Sequence, residues 1–152
     1  MNKGTRIRLL LFGIVALCIV MATSFTGIFW DNVSQIYNYA DWLSLNGLFN
    51  FEVPDSMDIG IPLTVPFLHA AAWEIFGKSL FVSHLLMWPF VWGLLWQIFR
   101  LVDFFVDDKR LIWWVFALVL ADPTFCAMLT LINYEVIQYF LFFGAVNAVL
   151  RK

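Results

Sequence analysis

Asp31, Asp122 and Glu135 are the residues of this sequence whose type and setting point to chemistry. Asp31 follows Trp30 at the end of a long apolar run. A carboxylate there can cap a following helix and still face a cavity at the membrane surface. Asp122 precedes Pro123 well inside another apolar run, where the proline breaks the helical ladder and leaves backbone groups needing partners. Glu135 opens a further apolar run. Ionisable groups at membrane depth are costly and mark functional positions by default. The structural alternatives are an acid capping a broken helix for Asp122 and an acid complementing a helix N-terminus for Glu135. His69 and His84 have no ligand-spaced partner and read as hydrogen-bonded imidazoles in buried or interfacial positions. Cys18 and Cys126 lie in apolar runs with no CxxC or Cys/His spacing and read as small buried hydrophobes. No P-loop, GxGxxG, GxSxG or HExxH occurs, so nucleotide binding, soluble hydrolysis and zinc proteolysis have no motif.

The elements that must position these acids follow from composition. Of 152 residues, 62% are hydrophobic, 19% aromatic and 13% charged. A soluble domain holds roughly 45–50% apolar and about 25% charged residues. The chain is therefore read as an all-α integral membrane protein. Its net charge of −2, with no basic patch outside short flanks, argues against nucleic-acid binding. Five apolar runs stand out, at residues 9–30, 61–76, 80–99, 111–131 and 136–150. The first follows Lys3, Arg6 and Arg8 and is too long for a signal-peptide core, so it reads as an uncleaved first span. The second is short, holds Pro62, Pro66, His69 and Glu74, and ends at Gly77-Lys78, a helix C-cap signal.

Charge decides whether the second run spans. If it does not, every basic residue except Lys78 falls on one side of the membrane, and the positive-inside rule makes that side cytoplasmic. If it does, Arg100, Lys109, Arg110, Arg151 and Lys152 all move outside. The expected architecture is thus one membrane domain, residues 1–152. It has four transmembrane helices at about 9–30, 80–99, 111–131 and 134–150, both termini cytoplasmic, and an acidic external loop at 31–79.

Within that loop, Val33, Ile36, Tyr37, Ala40 and Leu43 recur at helical spacing, with Asp31 placed as N-cap and Gly47 as C-cap. This predicts an amphipathic helix lying in the membrane interface. A polar linker over 51–60, containing Asp55 and Asp58, leads to a second, more apolar interfacial helix over 66–76. Trp30, Trp113 and Trp114 suit an aromatic belt.

Taken together, these features resemble the N-terminal module of the GT-C glycosyltransferases, in particular the protein mannosyltransferase and aminoarabinose transferase group. The resemblance covers roughly residue 9 to the C-terminus. It is carried by an acid directly after the first span (Trp30-Asp31-Asn32) and a surface helix through Tyr39-Ala40-Asp41-Trp42-Leu43. Next come Asp58-Ile59-Gly60-Ile61-Pro62-Leu63 in the place of a D-x-G-H-P-P segment, and Trp73-Glu74-Ile75-Phe76-Gly77 as the short aromatic helix. Asp122-Pro123 and Asn133-Tyr134-Glu135 stand for the second acidic site. The departures are Ile61 for the histidine, Leu63 for the second proline and Glu135 for the usual aspartate.

The resemblance implies a sugar transferase whose donor is a polyprenyl-phosphate-linked sugar and whose acceptor is a lipid, glycan or protein. It implies Asp31 as the catalytic base, taking the acceptor's proton as the acceptor attacks the anomeric carbon with inversion. Asp58, Asp122 and Glu135 become candidates for substrate or metal binding. The leaving phosphate needs a counter-charge, and the external loop holds only Lys78. A divalent metal on acids such as Glu135, or residues outside this chain, would supply it. The resemblance further implies a bacterial inner membrane, and a partner subunit or further segment bringing the helices that the family carries beyond this module. Two other classes stand beside it: a small non-enzymatic accessory or scaffold protein of the same fold, and a transporter half suggested by Asp122 and Glu135.

Overall fold

The computed structural model describes residues 3–28, 32–58 and 60–151. Among these residues all regular structure is helical. The chain runs through α1 (Lys3–Thr23), a π-helical turn (Val33–Tyr37), α2 (Asn38–Asn46), α3 (Thr64–Phe76), α4 (Leu80–Phe105), α5 (Lys109–Ala121), α6 (Pro123–Thr130) and α7 (Tyr134–Leu150). Two helices, α1 and α4, are long and apolar enough to cross a membrane, and α5 with α6 makes a third if the pair is one broken span. Helix α7 is apolar but shorter, at 17 residues. The protein is thus an all-helical membrane protein with two to three candidate spans.

The observed helices shift the expected bounds. Helix α1 ends at Thr23, ahead of Trp30. There the Ser24 hydroxyl donates to the Met21 carbonyl (2.8 Å) and the Thr26 hydroxyl to the Thr23 carbonyl (2.7 Å), so local side chains take up carbonyls at the helix end. Helix α4 runs on to Phe105 with Pro89 inside it. The run over 111–131 is not one rod: α5 and α6 meet at Asp122-Pro123 with a bend of 71°.

The chain divides into two compact units. One comprises residues 1–20, 88–130 and 134–152; the other comprises 21–87 and 131–133. In the first, the span unit, the indole N–H groups of Trp88 and Trp92 donate to the α1 carbonyls of Gly13 (3.0 Å) and Leu9 (2.9 Å). An indole buried in an apolar setting needs such an acceptor, and the lack of a side chain at Gly13 lets the Trp92 ring approach. Phe12, Phe99 and Phe116 form an aromatic knot joining α1, α4 and α5, with ring centroids 5.0–6.0 Å apart. Helices α4 and α7 meet through Phe90 and Phe140 and through Gln97 and Asn147. Cys18 and Cys126 are exposed on their helices, contrary to the buried positions expected from their apolar neighbours. The Cys126 thiol donates to the Leu120 carbonyl (2.8 Å), just before the α5–α6 break.

In the second, the loop unit, α2 and α3 bury each other. Ala40 and Leu43 of α2 pack on Ala70 and Trp73 of α3, with Tyr37, Trp42, Leu48, Phe67 and Val82 around them. The Ala40 and Leu43 part of the predicted apolar stripe is therefore covered by α3, while Val33 at its start is exposed. The contacts of Tyr37 with Trp73 and of Phe49 with Phe67 make the pair antiparallel. Gly47 and Gly77 end α2 and α3 at φ of +103° and +87°, a region costly for any residue with a Cβ.

Candidate functional site

Asp31, the predicted base, lies outside the described residues. What the structure gives is its chain surroundings in the loop unit. Asn32 is buried, and the next five residues form the π-helical turn, a rare geometry that recurs at functional sites. The sequence gives no sign of it, because its side-chain pattern differs little from that of an ordinary helix.

Asp58 belongs to the same unit. Its Oδ1 accepts from the Gly60 backbone N–H (2.8 Å) and the Tyr39 hydroxyl (3.4 Å), which ties the 51–60 linker to α2. Gly60 has φ of +72°, so the turn after Asp58 requires glycine. Beside it opens a cleft of about 610 Å³ lined by Tyr39, Glu52, Asp58, Gly60 and Pro62 among others. Among the described residues, the charged side chains on its walls are the acids Glu52 and Asp58.

Asp122 and Glu135 belong to the span unit. The Asp122 Oδ1 accepts from the Phe125 N–H (2.7 Å), so the carboxylate caps α6 directly after the break. The capping role accounts for its position. Asp122 also edges an apolar groove of about 460 Å³ between α4, α5, α6 and α7. Glu135 is exposed in the first turn of α7, where a negative charge complements the helix N-terminus.

The loop unit holds a lysine site that spacing alone does not show. The Lys78 ammonium pairs with the Asp41 carboxylate (2.5 Å) and stands over the rings of Tyr37 (4.7 Å) and Trp73 (5.3 Å). The Asp41 hydrogen bond, reinforced by Tyr37, raises the Lys78 pKa above its ordinary value. The only cation expected to meet a donor phosphate in this loop is thus already engaged. In the same unit, His69 and His84 are both buried, as expected. His69 Nδ1–H donates to the Val65 carbonyl (2.9 Å), and His84 Nε2–H donates to the Thr26 carbonyl (3.2 Å). Burial holds the His69 pKa below its ordinary value. The Trp73 indole donates to the Ser83 hydroxyl (2.8 Å), which donates in turn to the Ser79 carbonyl (3.1 Å), locking α3 to the start of α4.

Among the described residues no group of three or more His, Cys, Asp or Glu side chains is arranged to hold a metal ion. Comparison with protein-family models, with curated proteins and with solved structures finds no match to this chain.

Proposed function

We propose that the chain is a glycosyltransferase module of the GT-C kind, acting on a polyprenyl-phosphate-linked sugar at the external face of the membrane. In this reading α1, α4, the broken α5–α6 pair and α7 are four spans. Both termini are cytoplasmic, the membrane is a bacterial inner membrane, and the loop unit stands outside as the juxtamembrane subdomain. Asp31 is the general base; the acceptor is a lipid, glycan or protein whose hydroxyl or amine attacks the anomeric carbon.

The observation that supports the reading is the loop unit itself. In chain order, a folded pair of short helices comes between the two long apolar helices, α1 and α4, and is joined by a segment that holds Asp58. The π-helical turn beginning two residues after Asp31 supports a functional role for that stretch. Because Lys78 is paired with Asp41 and, among the described residues, no group of acids is arranged to hold a metal ion, the phosphate's charge is met by groups outside this chain, such as those of a partner subunit. The capping bond of Asp122 makes it a structural residue first; Asp31, Asp58 and Glu135 remain the acids assigned to the chemistry.

The test uses membranes containing the full chain and a panel of polyprenyl-phosphate sugars. Release of free polyprenyl phosphate should depend on the chain. Asp31→Asn should abolish that release while donor photocrosslinking and membrane insertion persist. A chain that neither crosslinks to the donor nor consumes it, or an Asp31→Asn variant of unchanged turnover, overturns the reading.

A further inference from the structure

Because α2 and α3 bury each other's apolar faces, the side chains available to touch lipid differ from those that helical periodicity selects. Ile36, Ala40 and Leu43 are inside the unit. One group of those left uncovered lies at the end of the helix pair where α2 leads into the linker. Leu45 is 77% exposed, Phe49 79% and Phe51 53%. Both phenylalanines rest on the Phe67 ring, at centroid distances of 5.9 and 6.1 Å, so they form one aromatic tip. Contiguous exposed aromatic surface of this kind marks an interaction site.

We propose that this tip is a lipid-contacting foot that enters the headgroup and upper acyl region of the leaflet on the side of residues 24–79. The occupant follows from how the unit is tethered. Its chain enters from α1 and leaves through α4, both long and apolar enough to span, so it lies against a bilayer surface by connectivity. At the opposite end of α3, Ile75 and Phe76 are also exposed, next to the start of α4. With the tip in lipid, the exposed linker carboxylates of Glu52, Asp55 and Asp58 are left for water. Phenylalanine suits this depth, as in other interfacial anchors. The inference rests on α1 and α4 crossing a bilayer, not on sugar transfer, so a negative transfer assay leaves it standing.

The test uses the full chain in lipid nanodiscs, with Cys18→Ala and Cys126→Ser removing the native thiols. Single cysteines at Phe49→Cys, Phe51→Cys and Leu45→Cys carry an environment-sensitive fluorophore, with Asp55→Cys as the aqueous reference. Leu45→Cys leaves both phenylalanines in place and guards against loss of the tip. The expected result is blue-shifted emission at 45, 49 and 51, quenching by lipids brominated high on the acyl chain, and loss of iodide quenching relative to position 55. Iodide quenching at 45, 49 and 51 equal to that at 55 overturns the proposal. Shielding from both iodide and brominated lipid also overturns it, since a protein surface would then cover the tip.

Discussion

Asn147 of α7, fully buried, donates through Nδ2 to the Gln97 main-chain carbonyl (2.8 Å) and to the Gln97 side-chain oxygen (3.0 Å) of α4. Between two apolar helices, such a polar bridge fixes register where side-chain shape alone permits sliding. Helix pairs in lipid gain about 1 kcal/mol from a bond of this kind. Asn147→Leu should therefore lower stability in detergent by roughly that amount, read as an earlier midpoint of unfolding by denaturing detergent. An unchanged midpoint would remove the bridge from the account.

The same helix pair closes over Gly93. A Cβ at Gly93 would stand 2.4 Å from the Phe140 ring, closer than real contacts allow. Gly93→Ala should cost about 1–3 kcal/mol, and Phe140→Ala in the same chain should recover part of it. Additive losses in the double variant would contradict direct contact.

Lys78 and Asp41 tie the end of α3 to α2. Both are substantially exposed, so the pair contributes no more than about 1 kcal/mol. The pKa of Lys78 is higher folded than unfolded, so the folded state holds its proton more tightly. The contribution is complete below 10.5 and disappears as pH rises through the folded value. Lys78→Gln should therefore be slightly less stable at neutral pH and should lack that alkaline loss, measured by thermal unfolding across pH.

His69 works in the opposite direction. Burial lowers its folded pKa, so the unfolded chain binds the proton more readily and acid favours unfolding. The stability is full above 6.5 and is lost as pH falls from there through the folded value. Hydrogen-exchange protection factors in α3, corrected for the intrinsic pH dependence of exchange, should fall on acidification in the native chain and stay flatter in His69→Leu. An equal fall in both would place the sensitivity elsewhere.

Asp122 should behave as a cap. Asp122→Ala frees the Phe125 N–H and should cost about 1 kcal/mol, whereas Asp122→Asn keeps an acceptor and should keep most of the stability. If Asp122→Asn retains the fold but stops donor turnover, the residue has a chemical role as well.

What the sequence reveals here is mostly local. Gly47 and Gly77 are legible as helix ends because positive φ selects glycine, and Pro123 is legible as a break because it lacks an N–H. The stripe through Ala40 and Leu43 is legible as an apolar face, but periodicity does not say what covers it, and α3 packs on it. The bonds from Trp88 and Trp92 to α1 span 75 and 83 residues, and the Lys78–Asp41 pair spans 37, so no short-range pattern carries them. The candidate site is legible only as acids at apolar boundaries. Asp122 proves to be a cap through its bond to Phe125, a geometry that composition does not encode.

The proposed function requires residues 31–79 to lie on the membrane face opposite both termini. Topology reporters fused after Gly77 and after Lys109 test it most directly. The account predicts an external Gly77 and a cytoplasmic Lys109. A cytoplasmic Gly77 would put the loop unit on the wrong side for an external lipid-linked donor and would contradict the account.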